Sequence, residues 1–208
     1  MKRIRVLIVE DDLDWIKAMT VYLNYEEDIH VVGAAVDAEE ARGLAKSVPC
    51  DVILMDIQLT ANQQEGLYLA AELHERLPDA RIIMLTSLDD EQIITRAFTA
   101  GAINYVEKTR YKELPQAIRN AVHHPGAMEV LLKEYARLKR EEQLKELTPA
   151  EREVFELIEQ GYTQSQIEKK LFKAESTLKN QVNKMLKKLG VRSSKEAVEK
   201  VRRKGIIK

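Results

Sequence analysis

The chain is poor in the residues that mark secreted, disulfide-bonded and membrane proteins. It has a single cysteine, Cys50, in 208 residues, so no disulfide can form within it. Aromatic residues make up 5%, and apolar runs reach only about six residues, far short of the roughly 20 that a membrane-spanning helix needs. The N-terminal segment MKRIRVLIVEDD passes from a short apolar stretch into three acids, which does not predict a signal peptide. These features predict a cytoplasmic protein in a reducing compartment.

Net charge is also small, at −1, but it is distributed unevenly along the chain. Residues 1–124 contain 13 Lys and Arg against 21 Asp and Glu, residues 125–147 contain five of each, and residues 148–208 contain 15 against 8. An acidic front and a basic back predict separate roles, and the basic part suits a phosphate backbone. On charge alone, the ordinary solvated faces of surface helices remain an alternative explanation.

Short apolar segments alternate with amphipathic ones up to residue 124. Strands are predicted near residues 4–9, 29–35, 51–55, 81–85 and 103–106, and helices near residues 13–24, 38–47, 66–76, 90–99 and 111–123. This alternation indicates an α/β fold in which a five-stranded parallel sheet carries helices on both faces. Right-handed crossovers make such a sheet doubly wound.

The pattern changes at His123-His124-Pro125-Gly126, where proline and glycine disfavour a continuing helix. A charged helix follows over 127–146, with the alternating signs of an exposed or coiled linker. Thr148-Pro149-Ala150-Glu151 then combines a capping threonine, a proline in the first turn and a capping-box glutamate. We therefore predict three parts: a first domain over 1–124, a linker helix over 125–147, and a four-helix domain over 148–208. Its later helices are predicted near 163–171, 175–189 and 194–204.

Polar side chains follow four of the predicted strands. These are Glu10, Asp11 and Asp12 after the first, Asp56 after the third, Thr86 and Ser87 after the fourth, and Lys108 after the fifth. The carboxyl ends of parallel strands share one edge, so we expect these groups to meet there. A nucleophilic carboxylate, acids for a hard cation, a hydroxyl and an amine are what phosphorylation of an aspartate requires. Taken one at a time, these residues also have purely structural explanations, because Asp12 can cap the next helix and Asp56 can be a turn residue.

The segments VLIVEDD, VILMDIQL, IIMLTS and INYVEKT, in this order and spacing, resemble the landmarks of response-regulator receiver domains. The resemblance implies that a sensor histidine kinase phosphorylates Asp56. It also implies that Mg²⁺ is bound by Glu10, Asp11, Asp56 and the backbone carbonyl of Gln58.

The same resemblance gives roles to residues on the last two strands. Thr86 and Lys108 correspond to the hydroxyl and the amine that meet the phosphoryl group. Thr86 and Tyr105 correspond to the pair that switches conformation, although Tyr105 can also be an ordinary half-buried strand residue.

Two features depart from the family pattern. Thr109 follows Lys108 where a proline is usual at or near that position. The loop IQLTANQQEG after Asp56 has Thr60 where proline is common and has about two extra residues. We expect the phosphotransfer chemistry to persist, with altered access to Asp56 and altered kinase recognition.

The segment from Leu147 to Val198 resembles the DNA-binding domain of the NarL/FixJ family, a helix-turn-helix of LuxR type. In the predicted helix 175–189, one face is apolar and the other is polar and basic. The resemblance makes that second face the DNA-contacting one: Thr177, Lys179, Asn180, Asn183, Lys184 and Lys187. Lysines would pair with phosphates and amides would read base edges in the major groove.

Two further residue types bear on this domain. Ala174 stands where a serine often caps the helix, an exchange that weakens a helix N-terminus by roughly 1 kcal/mol. In the family, the final helix helps to pair two DNA-bound domains. In this chain the end of that helix, Arg202-Arg203-Lys204, could instead contact DNA phosphates.

The sequence as a whole predicts a two-component response regulator and transcription regulator, whose phosphorylation controls DNA binding. Its expected partners are a sensor histidine kinase, a double-stranded DNA operator and, after phosphorylation or on DNA, a second copy of the chain. We expect the chain to catalyse no reaction other than its own phosphorylation and dephosphorylation. One alternative, a phosphatase of the haloacid-dehalogenase type, needs an acid where Gln58 stands. The other is a regulator that works without phosphate, or whose basic domain binds RNA or protein.

Overall fold

The computed structural model describes residues 3–59, 65–87, 91–123 and 127–202. They form two compact units, the first ending at Glu134 and the second beginning at Tyr135. Three predicted features lie at least partly outside the described residues: the longer loop with Thr60, the boundary at 124–126, and Arg203-Lys204. The predicted fold class is confirmed, because a five-stranded parallel sheet with helices is followed by an all-helical part.

The first unit contains the parallel sheet, with strand order β2-β1-β3-β4-β5. Its strands are β1 (Ile4–Val9), β2 (Ile29–Ala35), β3 (Val52–Asp56), β4 (Arg81–Thr86) and β5 (Ala102–Glu107). All five lie within about one residue of their predicted positions, as expected of short apolar runs in a sheet covered on both faces. In the register, Asp56 lies beside Leu85 and Thr86 lies beside Glu107, so the carboxyl ends share one edge.

Five helices accompany the sheet: α1 (Leu13–Asn24), α2 (Ala38–Ser47), α3 (Glu65–Arg76), α4 (Glu91–Thr99) and α5 (Leu114–His123). Alternate strand residues such as Ile8 and Leu54 share one core cluster with buried residues of α1 and α5. Leu7 has the opposite parity and lies with Leu44 of α2 near Gly33. The two faces of the sheet are therefore covered by different helices.

The last helix of this unit begins later than predicted, at Leu114 instead of near residue 111. Lys108–Glu113 form a 3₁₀ helix instead. The cause is Pro115, which has no N–H to donate to the Tyr111 carbonyl. An α-helix that began at residue 111 would lack that bond, whereas proline is well placed in a first turn.

The remaining helices are α6 (Ala127–Leu144), α7 (Pro149–Glu159), α8 (Gln164–Leu171), α9 (Glu175–Leu189) and α10 (Ser194–Arg202). The predicted N-terminus of α7 is confirmed: Glu151 N–H donates to Thr148 Oγ1 at 3.3 Å, and Thr148 N–H donates to the Glu151 carboxylate at 2.9 Å. Apolar residues of α7, α8 and α9 pack in one cluster, and those of α7, α9 and α10 in another. Among the described helices, none has the length and apolarity to cross a membrane.

Candidate functional site

Lys108 links two buried acids at the carboxyl edge of the sheet. Its Nζ lies 2.9 Å from Oδ2 of Asp56 and 2.6 Å from Oε2 of Glu10. Glu10 directly follows β1, Asp56 ends β3 and Lys108 directly follows β5, so the strand ends position all three groups. The Glu10 and Asp56 side chains are 0% and 5% exposed, and a buried carboxylate requires such a charged partner.

Thr86 completes this group of strand ends. It is the last residue of β4, the strand between those that lead to Asp56 and Lys108, and it is buried. Tyr105 lies half-buried on β5. Thr109 Oγ1 donates to Glu107 at 3.2 Å and is exposed, so the residue that departs from the family pattern lies at the surface.

The three consecutive acids have different positions. Asp12 caps α1, because its Oδ1 accepts from the backbone N–H groups of Asp14 at 2.9 Å and Trp15 at 3.1 Å. Asp11 is exposed, and its carboxylate lies with those of Glu10 and Asp56 in a cluster whose oxygens are within 4.8 Å of one another. The acid triplet therefore divides into one helix cap and two members of the site.

Burial dominates the electrostatics of Glu10. Removal from water raises the pKa of Glu10 to about 7, against the lowering effect of the Lys108 ammonium. For Lys108, burial lowers the pKa, but the bonds to Glu10 and Asp56 outweigh it and the net shift is upward. The lysine thus stays charged between two acids.

The acid cluster fits a hard divalent cation. Glu10, Asp11 and Asp56 offer three carboxylates against one lysine, an excess of negative charge with only oxygen donors. The backbone N–H of Gln58 donates to Oδ1 of Asp56 at 3.3 Å, which places the Gln58 backbone at the edge of the cluster. A metal bond from its carbonyl stays a prediction.

Two contacts at the site were not predicted from the sequence. The Trp15 ring lies with its centroid 5.5 Å from Nζ of Lys108, within the range of a cation–π interaction. Gly66 approaches the chain at Asp56 so closely that an added Cβ would clash with the Asp56 carbonyl oxygen. A lone tryptophan after the acids was the available signal for the first, and a glycine after the loop for the second.

A second candidate site lies on α9. Its apolar residues, among them Leu178 and Met185, are buried in the domain core. All six predicted DNA-contacting residues are exposed on the rest of its surface: Thr177, Lys179, Asn180, Asn183, Lys184 and Lys187. Ala174 is the N-cap and makes no side-chain capping bond, in agreement with the weak cap predicted from its sequence.

Lys188 shows that not every lysine of α9 is available to a ligand. Its Nζ lies 2.6 Å from Oε2 of Glu151, a buried carboxylate at the start of α7. This pair connects α7 with α9. Lys187 and Lys188 are both exposed, so the ion pair and not burial distinguishes the two lysines.

Comparisons with known proteins identify the families of the two segments that contain these candidate sites. Residues 6–123 match the model of the response regulator receiver domain, and residues 145–201 match that of bacterial regulatory proteins of the luxR family. The chain is 31% identical over 215 residues to the uncharacterized transcriptional regulatory protein YxjL of Bacillus subtilis, covering 99% of this chain and 98% of that protein. It is 32% identical over 199 residues to the response regulator protein VraR of Staphylococcus aureus, covering 94% of each.

The fold is also that of solved structures of the response regulator RcsB. A Salmonella typhimurium RcsB structure has a TM-score of 0.54 and 24% identity over 93% of this chain and 95% of that one. A structure of the RcsB–DNA complex has a TM-score of 0.53 and 21% identity over 96% and 98%. With a receiver model covering more than half of the chain and full-length relatives above 30% identity, the chain belongs to the two-component response regulators, as a transcription regulator with a LuxR-type DNA-binding domain.

Proposed function

We propose that Asp56 is the phosphoacceptor of this response regulator and that its phosphorylation controls DNA binding by α9. The observation that carries the proposal is the ion pairing of Lys108 with both Asp56 and Glu10 at the buried strand ends. A structural turn residue would not need a lysine from another strand at 2.9 Å, nor a second buried acid beside it.

Each side chain has a distinct role in this mechanism. An oxygen of the Asp56 carboxylate attacks the phosphorus of a phosphohistidine, the P–N bond breaks, and the histidine of the kinase leaves. Lys108 and Thr86 then meet the phosphoryl oxygens, the first by charge and the second by a hydrogen bond. Tyr105 follows the movement of Thr86. The catalysis is confined to the chain's own phosphorylation and dephosphorylation.

Glu10, Asp11, Asp56 and the carbonyl of Gln58 are proposed to hold Mg²⁺. When bound, the ion neutralises charge on the transferring phosphoryl group. The excess negative charge of the cluster and the exposed position of Asp11, open to solvent and ligand, support this assignment.

The output role rests on the exposed basic face of α9. Lys179, Lys184 and Lys187 are proposed to contact phosphates or base edges, and Thr177, Asn180 and Asn183 to contact bases in the major groove. We also propose the domain limits 1–124, 125–147 and 148–208, a cytoplasmic location, a sensor histidine kinase as phosphodonor and a homodimer on the operator. The two matched segments, 6–123 and 145–201, support the limits.

Labelling of the chain by acetyl phosphate with Mg²⁺ tests the phosphoacceptor. Asp56→Asn preserves the shape of the side chain and removes the nucleophilic charge, so it should abolish labelling. Asp79→Asn is the matched control, because Asp79 is an exposed acid just before β4, at the opposite end of the strands. Undiminished labelling of Asp56→Asn would remove the assignment, and labelling that persists after chelation of the metal would remove the role of Mg²⁺.

A further inference from the structure

Phe172 occupies the turn between α8 and α9 in a backbone conformation that is unfavourable for its residue type. It is the C-cap of α8, with φ 51° and ψ 41° in the left-handed region. No other non-glycine residue in the described ranges has a positive φ. Glycine or asparagine usually fills this position at a helix end, and a bulky residue there is an outlier.

The Phe172 side chain adds a second cost because it is 96% exposed. The nearby core is closed by Ile167 and Leu178, which are buried, so the ring contributes nothing to it. A single exposed apolar residue is unremarkable by itself. Backbone strain and full exposure at one position, with no compensating contact among the residues that the structure describes, indicate a binding role.

The position of Phe172 identifies the ligand that it suits. It precedes Ala174, the N-cap of α9, by two residues, and recognition helices read bases mainly from their N-terminal end. Lys169 and Lys170 lie in the last turn of α8, just before Phe172 in sequence, and both are exposed, although Lys170 Nζ also donates to the Tyr162 hydroxyl at 3.0 Å. An aromatic ring with nearby cations is suited to double-stranded DNA. The lysines can pair with backbone phosphates, and the ring can contact the C5-methyl of thymine, an apolar group on the major-groove edge.

We propose that Phe172 makes an apolar contact with a thymine methyl group of the operator and thereby contributes to sequence specificity. The inference rests on the proposed DNA-binding role of α9 and adds a residue outside that helix. An apolar contact releases no counterions, so Phe172 contributes to affinity without contributing to its salt dependence.

The test uses the full chain, treated with acetyl phosphate, and a duplex that it selects from a random pool. Phe172→Asn suits the left-handed conformation, so the thermal midpoint should stay the same or rise. The affinity of the Phe172→Asn variant for the duplex should fall about tenfold, the order expected from partial burial of an aromatic ring. The dependence of that affinity on salt concentration should be unchanged. Phe172→Leu should keep most of the affinity. Replacing thymine by deoxyuracil at one position should weaken the unmodified chain but not Phe172→Asn.

Three results would overturn the inference. They are equal affinity of Phe172→Asn and the unmodified chain, a loss of affinity accompanied by a smaller salt slope, and insensitivity of the unmodified chain to every deoxyuracil substitution. If a protein partner were the occupant, the first of these would be observed. If the unmodified chain selects no duplex, the proposed function fails first and this inference fails with it.

Discussion

Lys108 places one ammonium group between the buried carboxylates of Glu10 and Asp56, and this ion pairing is the basis of the proposed phosphorylation chemistry. The meeting of the three residues could be predicted, because parallel strands share a carboxyl edge and each residue directly follows or ends an apolar run. The contact between Trp15 and Lys108 could not be predicted, because it depends on the rotation of α1 and on which acid caps that helix. Likewise, the close approach of Gly66 to Asp56 depends on where α3 meets the sheet.

The division of the acid triplet leads to a metal-binding prediction. Asp11→Asn should weaken Mg²⁺ binding more than Asp12→Asn, because Asp11 belongs to the carboxylate cluster and Asp12 caps α1. Asparagine is itself a good helix cap, so the second variant should fold normally. Trp15 is the single tryptophan and lies near Lys108, so its fluorescence can report the titration. Equal affinities for the two variants would reverse the assignment.

The raised pKa of Glu10 leads to a pH prediction. With a value of about 7 in the folded chain against 4.5 ordinarily, the fold favours the protonated form. The resulting stabilisation is complete below the unfolded pKa and is lost as pH rises through the folded one. Mg²⁺ requires the ionised carboxylate, so its binding should release a proton near neutral pH.

Mg²⁺ affinity should therefore increase from about pH 6 to about pH 8 and then level off. Glu10→Gln should bind Mg²⁺ more weakly and lose this dependence, since the amide does not titrate. Trp15 fluorescence at several pH values provides the measurement. An affinity of the unmodified chain that is constant over the same range would contradict the assignment of Glu10.

Helix α9 has two kinds of lysine that its sequence could not separate. Lys187 and Lys188 are adjacent and both belong to the basic region, but only Lys188 reaches the buried Glu151 of α7. Periodicity identified the apolar face of α9 correctly, because it depends on spacing within one helix. The ion pair depends on how α7 packs against α9, which spacing does not determine.

Substitution of each lysine should have a different effect. Lys188→Ala leaves a buried carboxylate without its partner and should lower the free energy of unfolding by about 2 kcal/mol. This is less than the loss of a fully buried ion pair would cost, because the lysine is about one third exposed and solvent screens its charge. Lys187→Ala should leave thermal unfolding nearly unchanged but reduce the salt slope of DNA binding by about one unit. Thermal unfolding and DNA titrations on both variants measure this. The roles assigned to the two lysines would be refuted if Lys187→Ala destabilised the fold and Lys188→Ala reduced only the salt slope of DNA binding.

At the scale of the whole chain, residues 1–124 are acidic and residues 148–208 are basic. The acidic part contains the proposed phosphoacceptor Asp56, and the basic part contains the proposed DNA-contacting face of α9. The limits of the linker were harder to predict, since α6 runs through the point at which the two compact units separate. Exposed Leu131 and Leu138 on α6 lie seven residues apart, the spacing of a coiled-coil seam, so this helix stays a candidate for dimer contacts.

The most direct test of the account is the affinity of the full chain for its selected operator with and without acetyl phosphate. Asp56→Asn, treated identically, is the control, and the salt concentration is held constant. We predict that the phosphodonor tightens binding of the unmodified chain to an inverted-repeat operator, with two copies bound, and leaves the affinity of Asp56→Asn unchanged. Equal affinity of phosphorylated and unphosphorylated chain, with phosphorylation of Asp56 verified, would contradict the claim that this aspartate controls DNA binding.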